Sequence, residues 1–359
     1  MAAQAKTGEV AIIGGGIVGL ALALELAEAG GDGDRFGTRS LWGGATGGGR
    51  VAWLAPEAEG LTGRFVDVGA AGPGWRTAGW IAHLMNRSDL PCGYWCCGIV
   101  APKFAEETPG SLSRSELLPN RPVWGKASSA ATWHPEDGQV NNRLLLAALH
   151  TAALRAGVKI QEGTTVYRWH RRGDRLTHLE TNRGKLAAAV FVVAGGAHSR
   201  ELVEVPIEPV KGQMLSVFDR DRRLQRVLFS SRAYLVPRQD GTIVVGATVE
   251  RVGFLPGNTA GGLQQLLNGA IAVWPAIAEL PIVETWWGFR PYAPQENPLL
   301  GRVPNLENLW LNVGHYRNGI LLAPLCAQLL GRAIADGPTA EGDPLLIPFA
   351  PPPLAEPLS

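Results

Sequence analysis

Cysteine is scarce in this 359-residue sequence: Cys92, Cys96, Cys97 and Cys326 are the only four. Three fall as C-x3-C-C with no second pair at ligand spacing, which argues against a zinc site and against a disulfide framework. Sparse, unpatterned cysteines suit a reducing compartment, so a cytoplasmic protein is expected. Charge is also thin, at 18% of residues, and balanced at 33 basic against 32 acidic side chains. The chain therefore carries no electrostatic footprint for nucleic acid. The one basic run, Arg168-Trp169-His170-Arg171-Arg172, is short, is followed by Gly173-Asp174, and reads as a solvated turn between strands. The uncharged run from Val10 to Leu24 is shorter than the roughly 20 residues of a bilayer span. It also holds Gly14, Gly15, Gly16 and Gly19, poor residues for a hydrophobic helix, so no membrane association is expected. No internal repeat is present.

What the sequence does have is a 46% apolar fraction and glycine at telling places, over a length that suits two domains. Glu9 to Ile13 is a short apolar run ending in glycines, and a helix-forming stretch from Leu20 to Ala29 stops at Gly30-Gly31. Gly14, Gly16 and Gly19 thus make G-x-G-x-x-G between a strand and a helix. There the first glycine permits a tight turn, the second lets a pyrophosphate approach the backbone, and the third lets the helix pack closely. The amides of the first helical turn and their partial positive charge suit phosphate. A chance glycine-rich turn is the bland alternative, and the strand before and helix after weigh against it. The motif ordinarily continues to an acid about 20 residues on, at the tip of the next strand. Here residues 31–37 hold no apolar run, Asp32 and Asp34 are the nearest acids, and the second strand is missing from the pattern.

Further along, Asn142 to Ala156 has the apolar spacing of a helix. Val158 to Ile160 and Thr164 to Tyr167 read as strands, and Val190 to Val193 is a buried strand running into Ala194-Gly195-Gly196. From Gln213 the pattern turns β-rich. Met214 to Phe218, Ala233 to Val236 and Thr242 to Val249 read as antiparallel strands, the last two joined by an Asp240-Gly241 hairpin turn. Leu263 to Val273 is a helix, Trp286 to Arg290 and Leu309 to Val313 are strands, and Ile320 to Ala335 is an apolar helix. Dinucleotide-type pieces at the start, middle and end imply two interleaved domains. The nucleotide-binding one takes 1–85, 145–212 and 300–340; the substrate domain takes 86–144 and 213–299; 341–359 is a loose Pro-rich tail.

The stretch Gly314-His315-Tyr316-Arg317-Asn318-Gly319 is a polar, glycine-bounded turn leading straight into an apolar helix. Amides at such a helix start can stabilise negative charge on a ring held before them. By pattern alone a surface turn with an incidental arginine is an equal reading. Four more segments share the stretch's affinities, in order. They are Pro209-Val-Lys-Gly-Gln213, the pair Tyr234-Leu-Val-Pro-Arg238 and Thr242-Ile-Val-Val-Gly-Ala-Thr248, Trp287-Gly-Phe-Arg-Pro291, and Pro298-Leu-Leu-Gly-Arg302. Together they resemble the glycine-oxidase branch of the D-amino-acid-oxidase-like family of FAD-dependent oxidoreductases, over about 90–335 plus 10–29.

The resemblance implies an α/β fold: an FAD-binding Rossmann-like domain of the glutathione-reductase type beside a β-rich substrate domain of antiparallel sheet plus helices. It assigns FAD contacts to Gly14, Gly15, Gly16, Ile17, Val18 and Gly19, and to the backbone of Val166, Ala194 and Gly195. It adds Gly314, His315, Tyr316, Arg317, Asn318, Gly319, Ile320 and Leu321, with His315 beside the flavin rather than acting as a base. Arg290 would pair with the substrate carboxylate, for which a planar two-toothed donor is suited. Arg317 would add a second contact, and Tyr234 would hydrogen-bond the substrate and help close the pocket. The bland alternatives are a structural ion pair for Arg290 and a satisfied core edge for Tyr234. No metal is implied. The implied reaction is oxidative deamination of glycine, with sarcosine and small D-amino acids as neighbouring substrates. It gives an imine, then glyoxylate and ammonia, with oxygen reduced to hydrogen peroxide, and it feeds the thiazole branch of thiamine synthesis. A homotetramer and a functional link to thiazole synthase go with it. Residues 31–53 and 64–80 depart from the family's wording, so a flavin-binding protein of impaired activity is the alternative. A dehydrogenase using NAD would explain the first glycine turn but neither the C-terminal box nor the β-rich insert.

Overall fold

The computed structural model describes residues 9–29, 38–42, 52–54, 77–92, 99–104, 128–134, 138–336 and 344–354. Its first layer is a six-stranded sheet. β1 (Val10–Ile13) lies at its heart, with α1 (Ile17–Ala29) following directly. β1 pairs in parallel with β2 (Thr38–Trp42), and β2 with β7 (Lys159–Glu162). On its other side β1 pairs in parallel with β11 (Val190–Val193), which pairs with β18 (Leu309–Val313); β17 (Leu299–Arg302) closes the edge in antiparallel. The central strands read as unbroken apolar runs because both faces are covered.

Strand alternation shows what covers them. Val10, Ile12, Val192 and Trp310 face a helical layer of α1, α3 (Asn142–Arg155) and α6 (Gly319–Asp336), with α2 (Thr77–Ser88) alongside. Ala11, Ile13, Phe191, Val193, Leu309 and Leu311 face Trp169, Leu176, Leu179 and Leu186. These belong to a three-stranded antiparallel sheet of β8 (Val166–Arg172), β9 (Arg175–Thr181) and β10 (Gly184–Leu186). This helix–sheet–sheet sandwich is the α/β arrangement the sequence implied.

Two expectations need correction. A second strand is present at Thr38–Trp42, in register with β1 from Val10↔Thr38 to Ile13↔Leu41. Its neighbours β1 and β7 impose the pairing that its mixed side chains do not announce. The residues after Trp42, where a ribose acid would stand, lie outside the described set, as do 31–37 and 64–76. The tail is also packed rather than loose over 344–354. Leu346 and Phe349 join the helical core, Leu354 joins the opposite core, and Asn305 exchanges hydrogen bonds with the Leu354 backbone at 3.0 and 3.2 Å.

The other large sheet has seven strands in the order β16-β12-β15-β14-β13-β4-β5. The strands are β4 (Ile99–Phe104), β5 (Ser128–His134), β12 (Glu208–Phe218), β13 (Val227–Phe229), β14 (Tyr234–Pro237), β15 (Thr242–Gly246) and β16 (Ile282–Tyr292). The β14–β15 hairpin closes at Asp240-Gly241 as expected. Gly241 adopts φ +89°, and Asp240 Oδ1 accepts from Thr242 N at 2.8 Å. A short helix, α4 (Ser199–Leu202), precedes β12, and one face of the large sheet, with Leu215, Val217, Leu235, Ile243 and Val245, packs on α5 (Ala260–Val273). The other gathers Met214, Val236, Val244 and Trp286 with Ile99 and Val227. The isolated pair β3 (Ala52–Leu54) and β6 (Gly138–Val140) completes the strands. By length and composition α6 is apolar enough to cross a membrane, yet half of it is buried here, packed on α1.

Candidate FAD and substrate site

β1, β11 and β18 run parallel and end side by side, so the turns at Gly14, Ala194 and Gly314 share one rim of the sheet. Ligands of open α/β sheets bind outside such carboxyl ends. Gly14 holds φ +131°, and a methyl on it would lie 2.2 Å from the Ala194 carbonyl oxygen. A methyl on Gly19 would lie 2.0 Å from the Gly14 carbonyl oxygen. Both glycines are therefore consumed by closing the turn against its neighbours. A methyl on Gly16 would meet no described atom within 4 Å, so this residue opens the helix start outward. That division of labour is the one a bound pyrophosphate requires. Gly15 is buried within the turn, and Ile17 and Val18 pack on the helical core.

The C-terminal box reaches the same rim. Gly314 turns at φ +83°, and Asn318 accepts the first helical bond of α6 from Leu322 N at 2.8 Å. A methyl on Gly319 would stand 3.6 Å from His315 Cβ and 3.9 Å from Val18 Cγ2, so the starts of α6 and α1 converge. Ile320 and Leu321 pack on the same helical core. On its other side the box is tied to the seven-stranded sheet. His315 bridges Tyr292 in antiparallel, Tyr316 N donates to Pro291 O at 3.0 Å, and the Tyr316 and Tyr292 rings meet edge to face at 5.2 Å. Arg317 lies exposed on the turn.

Several buried polar atoms near this rim have no hydrogen-bond partner among the described residues: His315 Nε2, both amide atoms of Asn312 near the end of β18, and Ser199 Oγ just past Gly195. Native interiors rarely leave such groups unsatisfied. These unpartnered groups and the outward-facing Gly16 fit a flavin dinucleotide, whose donors and acceptors would pair with them. Burial also pushes the His315 imidazole down to about 4, which keeps it neutral near pH 7. Asn312 and Ser199 escaped the sequence reading, although an Asn inside the apolar run Leu-Trp-Leu-Asn-Val was a visible signal. Val166 opens β8 and packs against the cluster that holds Ile13 and Val193.

Arg290 sits on β16 one residue before Pro291, whose carbonyl anchors the box. Register pairs Val210 with Arg290 and Gly212 with Gly288, and the guanidinium folds back over Gly212. A methyl on Gly212 would lie 2.5 Å from Nη1 and 2.6 Å from Nη2, so only glycine leaves room. Tyr234 is treated the same way on β14: a methyl on Gly246 would lie 2.3 Å from its hydroxyl oxygen. Tyr234 packs with Met214, Val236 and Trp286, on the face that Arg290 shares by alternation. Arg290 Nη1 donates to Thr248 O at 3.1 Å, and no described carboxylate pairs with it. A structural ion pair, the bland alternative, is thus not what holds Arg290 among the described residues. Sequence patterns did not single out the polar group behind it, formed by Lys211, Gln213, Thr248 and Glu250; these residues are scattered along the chain and meet only in the sheet.

Comparison with known proteins places the fold in a family. The model of the FAD dependent oxidoreductase family, DAO, matches residues 9–333. The bifunctional protein ThiO/ThiG of Synechocystis sp. is 40% identical over 96% of this chain; the chain spans about half, 54%, of that relative's length. Glycine oxidase of Pseudomonas putida is 31% identical, with 89% of this chain and 93% of the relative aligned. Among solved structures, glycine oxidase from Geobacillus kaustophilus superposes with a TM-score of 0.80 at 28% identity, covering 96% of this chain and 98% of that one. With its glycine turn, its box and its paired sheets accounted for, the chain belongs to the family of FAD-dependent oxidoreductases.

Proposed function

We propose that this chain is an amino acid oxidase acting on glycine, with sarcosine and small D-amino acids as slower alternatives. The observation that carries the reading is Arg290: half-buried, without a carboxylate partner among the described residues, and one residue before Pro291, whose carbonyl anchors the box. A substrate carboxylate would complete it through two parallel hydrogen bonds. Tyr234 would donate to the same substrate and exclude water from that side. Arg317 would approach the carboxylate from the box. This fixes the substrate by one end and leaves its α-carbon facing the start of α6, an orientation worth a large part of the rate.

Gly14 to Gly19, Ala194, Gly195 and the box would hold FAD, which when bound would supply a two-electron acceptor for the hydride of that carbon, with oxygen as the final acceptor. Among the described residues none is placed as a base. His315 is neutral but wholly buried, so the amine must arrive unprotonated, its lone pair driving the imine. Water then splits the imine to glyoxylate and ammonia, with hydrogen peroxide as the other product, or the imine is taken up in thiazole synthesis for thiamine. Relatives whose name joins ThiO to ThiG in one chain support a link of that kind. A cytoplasmic homotetramer is the expected form.

The test is to purify the protein, record its visible spectrum and add glycine without oxygen. A yellow protein bleached by glycine is the expected outcome. A yellow protein inert to glycine but bleached by sarcosine or D-alanine would move the substrate, and one inert to all three would refute the oxidase reading.

A further inference from the structure

The residues behind Arg290 form a polar knot, buried at Lys211, Gln213 and Thr248 and reaching the surface at Glu250 and Thr259. Arg290 depends on a single described acceptor, the Thr248 carbonyl, and that carbonyl belongs to a residue just past the end of β15. Thr248 is held elsewhere. Its hydroxyl accepts from Gln213 N at 2.8 Å and donates to Glu250 Oε1. Gln213 Nε2 donates to the same carboxylate oxygen at 2.8 Å and to Thr259 Oγ1 at 3.0 Å, while Gln213 Oε1 accepts from Thr259 N at 2.7 Å. Thr259 caps α5, and the Gln213 amide fits there only because residue 262 is glycine: a methyl on it would lie 2.4 Å from Nε2. Glu250 and Lys211 exchange both backbone hydrogen bonds at 2.9 Å.

Lys211 makes the arrangement unusual. It is 0% exposed, its Nζ forms no hydrogen bond to the described residues, and Glu250 Oε2 stands 3.9 Å away. A buried ion pair is seldom a better stabiliser than a well-packed apolar pair, so its value is more often geometric. Here the geometry has a clear beneficiary. Lys211 and Gln213 point to the α5 side of β12, while Gly212 and Arg290 lie on the other side. Thr248 joins the two sides, hydroxyl to the knot and carbonyl to the guanidinium.

We propose that Glu250 is a positioning residue for Arg290, acting through Thr248 and itself fixed by Gln213 and Lys211. The carboxylate anchors the Thr248 hydroxyl by a charge-assisted bond, stronger than a neutral one. The Thr248 carbonyl then fixes one edge of the guanidinium, and the other edge is presented to an incoming carboxylate. This rests on the reading of Arg290 as the substrate clamp.

The probe is acetate, a carboxylate without the reacting amine, titrated into the FAD-loaded protein and followed by the perturbation of flavin absorbance. Thr248→Val, which disturbs no charge, is expected to weaken acetate and raise the KM for glycine roughly tenfold, with kcat changed less than about twofold. Thr248→Ser should bind acetate like the parent. Glu250→Gln should weaken acetate similarly and lower the thermal midpoint, because it strands a buried ammonium. Adding Lys211→Met should restore the midpoint but not the acetate affinity; recovery of both together would mean a purely structural pair and overturn the proposal. Should Glu250→Gln fail to fold, the Thr248 pair decides. Acetate binding unchanged in Thr248→Val but lost in Arg290→Ala would overturn positioning and leave the clamp standing. Acetate binding unchanged in Arg290→Ala would remove the clamp itself.

Discussion

The chain makes the same local move twice, strand then glycine turn then helix, at β1–α1 and at β18–α6, and the two turns work by opposite means. In the first, side chains are excluded. Gly14 and Gly19 close the backbone on itself and Gly16 opens it outward, leaving amides to do the binding. In the second, glycine only frames the turn, and the side chains between do the linking. His315 is buried at the start of α6, and Tyr316 packs on Tyr292 at the end of β16. A turn of the first kind recognises phosphate and little else. A turn of the second kind joins the rim of the six-stranded sheet to the end of β16 in the seven-stranded one, one to two residues from Arg290. On the proposed function the specificity for substrate depends on the second turn, and the first could serve many enzymes.

The contrast can be broken most forcefully at Gly19. Gly19→Ala drives a methyl to 2.0 Å from a backbone oxygen that cannot move without opening the turn. Loss of bound FAD and of about 3 kcal/mol or more of stability is expected, read from flavin absorbance and a denaturant melt. A variant that keeps both would show that the first turn is not closed by its glycines.

A second probe uses titration, since the first turn has no ionisable side chain and the box has His315. Burial lowers the folded-state value of His315 to about 4, while an unfolded imidazole stays near 6.5. Between those values the unfolded chain binds more protons. This contribution is complete above about pH 6.5 and is lost as pH falls towards 4, by about 3 kcal/mol in all. His315→Gln should flatten the wild-type slope in that window, measured by denaturant melts at several pH values; parallel slopes would contradict the burial of a neutral imidazole.

The smallest effect is expected at Gly319. A methyl there meets His315 Cβ at an ordinary 3.6 Å, so Gly319→Ala should leave the flavin-free protein's stability within about 0.5 kcal/mol. A loss on the scale of Gly19→Ala would mean that both turns close alike.

These differences also explain what was legible in the sequence. The first turn could be read because its strand is apolar on both faces and its glycines have fixed mechanical duties. The strand Thr38–Trp42 could not, because Thr-Arg-Ser-Leu-Trp shows no apolar run and its pairing is supplied by β1 and β7. β12 was read from Met214 although it begins at Glu208, since Lys211 and Gln213 interrupt the apolar pattern with side chains that are buried and paired. The box could be located by pattern, but its duty came only through resemblance, because its contacts to Pro291 and Val18 are distant in sequence. The knot of Lys211, Gln213, Thr248, Glu250 and Thr259 is legible only in three dimensions.

The most direct measurement compares glycine with glycinamide, which lacks the carboxylate, as reductants of the bound flavin without oxygen, in the parent protein and in Arg290→Ala. The expected result is a strong preference of the parent for glycine that largely disappears in the variant, with FAD content unchanged. An equal preference in both proteins would contradict Arg290 as the group that recognises the substrate.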